Sequence, residues 1–97
     1  MKVAYITGKI SGDDNYYLKF EKAEIDLHAT MEYVRIINPA RLDKGKKRPW
    51  IWYIVRDCYI IWNQATHLVV LPDWRDSVGS QIEILVAKKR GLTVTFI

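Results

Sequence analysis

The feature that most constrains the fold is a regular alternation of short apolar runs with longer segments of helical periodicity. Four runs rich in β-branched residues read as strands, at residues 3–7, 33–38, 67–71 and 92–97. Between them, apolar residues recur at helical spacing over about residues 15–31, 50–64 and 78–89. Strands that alternate with helices form a parallel sheet with helices on both faces.

Right-handed crossover connections favour the strand order 2-1-3-4. We therefore predict an α/β fold, a single Rossmann- or flavodoxin-like three-layer domain over residues 1–97 with a four-stranded parallel sheet. In such sheets, ligands bind beyond the carboxyl ends of the strands, where the strand order reverses. The loops after the first and third strands, "TGKISG" and "PDWRDSVGS", should line that crevice.

Composition narrows the function only a little. The net charge of +4 suits a phosphorylated small molecule as well as a nucleic acid, and the basic run "KGKKRP" is either a solvated loop or a phosphate-steering patch.

The one cysteine, Cys58, allows no disulfide within the chain, so a reducing cytoplasm is expected and a buried thiol is favoured over a nucleophile. His28 and His67 lack metal-ligand spacing, and we expect no metal and no cofactor. No signal peptide and no apolar run of membrane-spanning length are visible.

Two features of the helices bear on the site and on partners. On the last helix, Ile82, Leu85 and Val86 are predicted to face inward. The helix at residues 50–64 has apolar residues on two faces, which suggests a second copy of the chain as a partner and hence a homo-oligomer. The aromatic residues behind this expectation are Trp50, Trp52, Tyr53, Tyr59 and Trp62.

Glu83 has two interpretations from spacing alone. Ser80 and Glu83 fit an S-x-x-E capping box, in which the Glu83 side chain would bond back to the Ser80 amide. Alternatively the helix begins at Ser77 or Val78, which places Glu83 about a turn and a half into the helix, beside the crevice. Spacing does not decide between a cap and a ligand-facing carboxylate.

Four motifs occur in order along the chain: "YITGKISG" at the first strand, "INPA" after the second, "LPDW" after the third, and then Ser77-x-Gly79-x-x-x-Glu83. Together they resemble the nucleoside 2-deoxyribosyltransferase-like superfamily. The resemblance is closest to its short bacterial and phage members, the DUF4406-like proteins, and extends to deoxynucleoside 5'-monophosphate N-glycosidases. It covers nearly the whole chain.

The resemblance implies roles for individual residues. Glu83 matches the nucleophile that attacks the anomeric carbon of the sugar, and Asp57 is the candidate acid that assists departure of the base. Glu83 must be ionised for this role, so we expect nearby donors to keep it charged. The residues expected to bind the sugar are Tyr5, Gly8 and Gly12, and those expected to bind the 5'-phosphate are Ser77 and Gly79.

Four further residues are predicted to bind substrate. Lys9 either reaches a phosphate or lies at the surface, and Ile10 lies in the same loop. Trp74 either stacks on a base or packs in the core. Asp76, like Asp73, either shares the role of the acid or serves as a loop and cap residue.

The resulting prediction is an N-glycosidase or deoxyribosyltransferase that acts on a nucleoside or nucleoside 5'-monophosphate through a covalent glycosyl-glutamate. The alternatives are a nucleotide-binding module without turnover and, less favoured, a basic nucleic-acid-binding protein. No membrane partner is expected.

Overall fold

The computed structural model describes residues 1–30, 32–42 and 48–97. The four strands are β1 (Val3–Thr7), β2 (Arg35–Ile37), β3 (His67–Val70) and β4 (Thr93–Phe96). The four helices are α1 (Tyr16–Thr30), α2 (Pro39–Leu42), α3 (Trp50–Gln64) and α4 (Val78–Arg90), and a 3-10 turn spans Trp74–Asp76. Most of the basic run "KGKKRP" lies outside the described residues, as does residue 31 at the end of the first predicted helix.

The sheet has the predicted parallel order, β2-β1-β3-β4. Strand β1 is central: Tyr5 pairs with Ile37 of β2 on one side and with Leu68 of β3 on the other. All five residues of β1 are buried, as expected of a strand covered on both faces. Strand order therefore reverses between β1 and β3, and the crevice for a ligand lies at their carboxyl ends.

Alternate residues of the central strands face two separate cores, so the sheet is the middle of three layers. Tyr5 and Leu68 belong to the core that includes Ile61 of α3 and Ile84 of α4. The opposite core contains Ile6 and residues of α1 and α2, among them Phe20, Ala23 and Ala40. The predicted α/β fold with helices on both faces is confirmed.

The inward face of α4 differs from the prediction. Leu85, predicted to be buried, is 67% exposed, and Ile82 and Val86 are only partly buried. The buried residues of this helix are Ser80, Glu83, Ile84 and Ala87. The prediction is confirmed for Val86, which packs against the core that includes Ile84, and it is wrong for Leu85. It assumed an apolar inner face, whereas Ser80 and Glu83 in the first two turns of α4 direct polar side chains toward Thr7 at the end of β1.

Helix α3 has the predicted bounds but only one buried face, formed by Ile54, Asp57 and Ile61. Its outer face is apolar and open to solvent: exposed fractions run from 39% for Trp52 to 67% for Tyr59. Within the described residues, no helix is long and apolar enough to cross a membrane.

Candidate active site

A cavity of about 300 Å³ opens at the carboxyl end of β1, at the small end of the range for small-molecule sites. One wall is the loop after β1 with the first turns of α1. The opposite wall is α3 and the N-terminal turns of α4. The polar side chains that line it are Thr7, Ser11, Tyr16, Arg48, Tyr53, Asp57, Ser77, Ser80 and Glu83.

Helix α4 begins at Val78, and Ser77 is its N-cap. The hydroxyl oxygen of Ser77 accepts a hydrogen bond from the amide of Ser80 at 3.1 Å. Ser80 is therefore inside the helix, which excludes the capping box in which Ser80 would be the cap. Glu83 consequently lies a turn and a half into the helix, on the cavity wall.

Glu83 is only 6% exposed and bonds to the central strand rather than to its own helix. Its Oε1 lies 2.7 Å from the hydroxyl of Thr7, the last residue of β1. The same hydroxyl lies 3.0 Å from Oγ of Ser80. The carboxyl group is thus held at the floor of the cavity, where the sheet, α3 and α4 meet.

The surroundings of Glu83 favour its neutral form. Burial first, and then the negative charge of Asp57, raise the pKa of Glu83 to about 8, although the hydrogen bond from Thr7 opposes the rise. A hydrogen bond with Asp57 raises the pKa further, and the positive charge of Arg56 lowers it. The expectation that nearby donors keep Glu83 charged is wrong for the ligand-free site, because one neutral donor does not offset burial beside a second carboxyl group.

Asp57 projects from α3 into the same cavity and is 5% exposed. Arg56 forms an ion pair with it: Nη2 lies 2.6 Å and Nε 3.0 Å from Oδ1 of Asp57. The structure therefore brings together Glu83 and Asp57, the two acids that the sequence predicted to act together.

Tyr5 lies beneath this pair, fully buried in β1. Burial, followed by the charges of Glu83 and Asp57, raises the pKa of Tyr5 well above its ordinary value, which keeps the phenol neutral. Its hydroxyl interacts with Asp57 without the geometry of a hydrogen bond, and so it is a buried polar atom without a hydrogen-bond partner.

The N-terminus of α4 forms the other end of the cavity. Ser77 and Gly79 line it there, and a second cavity of about 330 Å³ adjoins it, lined in addition by Lys9 and Asp76. Gly79 packs closely against α3: a Cβ at this position would lie 2.9 Å from Cδ1 of Ile54, so the end of the Ile54 side chain would have to shift. Amides at a helix N-terminus suit an anion.

The loop after β1 is held against β3. A Cβ on Gly8 would lie 2.6 Å from Cδ1 of Leu71, so this close approach requires glycine. Asp73 accepts a hydrogen bond from the amide of Lys9 at 3.1 Å and forms an ion pair with Lys19 of α1. Asp73 thus ties the loop to α1, which is a structural role.

The other residues predicted to bind substrate differ in whether they line the main cavity, the second cavity or neither. Ile10 lines the main cavity, whereas Lys9 and Asp76 line only the second one. Gly12 has a φ of +83° in the turn before α1 and lines neither cavity. Trp74 also lines neither; it packs against Phe96 of β4, with ring centroids 5.4 Å apart.

Sequence reasoning missed several residues of the site. Thr7 and Ser80 contact Glu83 or its partner, and Arg48, Trp50 and Tyr53 line the cavity. Thr7 could have been predicted from the sequence, because it is the last residue of the strand whose carboxyl end faces the crevice. Among the residues that the structure describes, no group of three or more His, Cys, Asp or Glu side chains is arranged to hold a metal ion.

Comparisons with known proteins give one positive result. Neither the curated proteins nor the solved structures include a match to this chain. A family model described as "Domain of unknown function (DUF4406)" matches residues 1–96. The chain belongs to the DUF4406 family.

Proposed function

We propose that this protein cleaves the N-glycosidic bond of a nucleoside or nucleoside 5'-monophosphate, with Glu83 as the nucleophile. The observation that carries the proposal is the contact between Glu83 and Asp57, two buried carboxyl groups that line one cavity. On this basis we also propose that the chain belongs to the nucleoside 2-deoxyribosyltransferase-like superfamily, as its motifs suggest.

Paired carboxyl groups suit this chemistry. Glu83 attacks the anomeric carbon as the bond to the base breaks, and the base leaves with a proton. Water then hydrolyses the glycosyl ester and regenerates the carboxylate, or a second base replaces water and completes a transfer. The N-terminus of α4, with Ser77 and Gly79, would hold a 5'-phosphate at the other end of the cavity.

The proton on Glu83 must leave before the attack. Asp57 is within hydrogen-bonding reach, so transfer from Glu83 to Asp57 ionises the nucleophile and supplies the acid in one step. Approach of the substrate's sugar, which becomes positively charged as the bond breaks, favours that redistribution. Arg56 opposes it, because its ion pair stabilises the charged form of Asp57.

A screen of the purified protein against nucleosides and nucleoside 5'-monophosphates tests the proposal, with free base measured by chromatography. We expect release from at least one substrate, loss of release in Glu83→Gln, and full release in Glu21→Gln, a control at an exposed glutamate of α1. If no substrate yields free base, or if Glu83→Gln retains the activity, the proposal is wrong.

A nucleotide-binding module without turnover is the second candidate. The ion pair between Arg56 and Asp57 and the raised pKa of Glu83 favour it. They favour an ionised Asp57 beside a neutral Glu83, whereas the reaction needs an ionised Glu83 and a protonated acid. Calorimetry with the same substrates distinguishes the two: binding without base release supports the module. Affinity for nucleic acid alone, with steep salt dependence, would support neither.

We further propose that the outer face of α3 binds a second copy of the chain. Large apolar side chains are exposed along it: Ile51, Trp52, Val55, Tyr59 and Trp62. Sedimentation velocity should show an oligomer that Val55→Glu dissociates and Val34→Glu, at a similarly exposed valine before β2, does not. A wild-type monomer at high concentration would contradict the proposal.

A further inference from the structure

Thr7 occupies a position in the site that the proposed reaction does not yet use. It is the last residue of β1 and only 2% exposed. Its hydroxyl oxygen lies 2.7 Å from Oε1 of Glu83 and 3.0 Å from Oγ of Ser80. A hydroxyl has a single proton, so Thr7 can donate to only one of these two oxygens at a time.

We propose that Thr7 is a positioning residue for Glu83: its hydroxyl fixes Oε1 against the central strand and leaves the other carboxyl oxygen to meet the anomeric carbon. This inference rests on the proposed function. The hydroxyl proton has two possible acceptors, and the stronger one is an ionised carboxylate, since hydrogen bonds to charged groups are about twice as strong as neutral ones. Ionisation of Glu83 therefore commits the Thr7 proton to Oε1, and Ser80 is left to donate its own proton to the oxygen of Thr7.

The other groups around Glu83 do not provide this contact. The titratable and charged groups that face it are Tyr5 from β1 and Arg56, Asp57 and Cys58 from α3. Burial, followed by the charges of Glu83 and Asp57, raises the pKa of Cys58 to about 11, so this thiol stays neutral. The charge of Arg56 lowers the pKa of Glu83, and its guanidinium is bonded to Asp57. Thr7 thus supplies a direct hydrogen bond to Oε1 of Glu83 that favours the ionised form of this carboxyl group.

A packing role for Thr7 makes a different prediction from a positioning role. Valine has nearly the shape of threonine but no hydroxyl, whereas serine keeps the hydroxyl and loses a methyl group. If Thr7 only fills space, Thr7→Val should resemble the wild type more closely than Thr7→Ser does. If its hydroxyl positions Glu83, the order is reversed.

The test is a titration of the ligand-free protein by NMR, with ¹³C-labelled glutamate, which follows the carboxyl carbon of Glu83 directly. In Thr7→Val we expect the midpoint for Glu83 to rise by about one pH unit or more, because an ionised carboxylate loses a charge-assisted hydrogen bond. In Thr7→Ser the midpoint should stay close to that of the wild type. Thr7→Ala, which adds no apolar bulk beside Ser80, provides the same measurement if the valine variant does not fold.

The pH profile of base release gives the second readout. In the proposed mechanism the proton on Glu83 passes to Asp57 and serves base departure, so loss of that proton sets the alkaline limb of kcat/KM. That limb should move to higher pH in Thr7→Val by the same amount as the midpoint, and Thr7→Ser should restore it. An unchanged midpoint for Glu83 in Thr7→Val or Thr7→Ala would overturn the inference. If the wild-type protein releases no base, the proposed function fails, and the titration alone still decides whether Thr7 controls the carboxyl group.

Discussion

Replacement of Glu83 by glutamine should make the protein more stable at alkaline pH, although it removes the proposed nucleophile. Glutamine has nearly the same shape, its amide oxygen can still accept the hydrogen bond from Thr7, and its amide group can donate to Asp57. What it removes is the free energy cost of an ionised carboxyl group in a buried site beside Asp57.

The pKa of Glu83 gives the magnitude. It rises from 4.5 to about 8 in the folded protein, so between these two values the folded state binds more protons than the unfolded state. The unfolding free energy therefore falls as pH increases through this window, by up to about 1.4 kcal/mol per pH unit. Over the whole window the difference reaches at most about 5 kcal/mol, which is a large fraction of the stability of a small domain.

The assay is urea denaturation of the wild type and Glu83→Gln at several values from about pH 5 to about pH 9. The two proteins should have similar stability at the acid end, and the variant should become increasingly more stable toward the alkaline end. Glu21→Gln, at an exposed site on α1, controls for the loss of a surface charge. A difference between Glu83→Gln and the wild type that does not change with pH would refute this reasoning.

Three further predictions concern other parts of the site. Ser77→Ala should lower the unfolding free energy by about 1 kcal/mol through loss of the N-cap, whereas Ser77→Asp should keep the cap and, in calorimetry with a 5'-monophosphate, abolish binding by charge repulsion. Asp57→Asn should lower the titration midpoint of Glu83 in the NMR experiment, because the negative charge of Asp57 raises that pKa. Gly8→Ala should lower the melting temperature, since its Cβ would overlap the side chain of Leu71, and overpacking of this kind costs about 1–3 kcal/mol.

Local sequence patterns were sufficient to predict the framework of the fold. The order of the strands follows from the alternation of strands and helices and from the handedness of their connections, and Gly91 ends α4 in the left-handed conformation, with a φ of 82°. Helix α3 has the bounds that its apolar spacing indicates. By contrast, the short helix α2 begins at Pro39, directly after the second predicted strand, where the sequence patterns predicted no helix.

The interior of the site was harder to predict because it breaks the rule on which periodicity depends. Glu83 and Ser80 occupy inward positions that hydropathy assigns to apolar residues, and Leu85 is exposed in exchange. Sequence also carries no measure of burial or of the distance between α3 and α4. It therefore located Glu83 and Asp57 but could not reveal that burial and the charge of Asp57 favour the neutral form of Glu83, against the opposing hydrogen bond from Thr7.

The most direct measurement of the central claim is intact-protein mass spectrometry after incubation with substrate analogues. A nucleoside 5'-monophosphate with fluorine at the 2' position of the sugar destabilises positive charge on the sugar and slows hydrolysis of a glycosyl ester, so the covalent intermediate should accumulate. We predict a mass increase equal to the fluorinated sugar phosphate, located on the peptide that contains Glu83 and absent from Glu83→Gln. Release of free base by the wild type with an adduct on another residue, or no release of base and no adduct, would contradict the account.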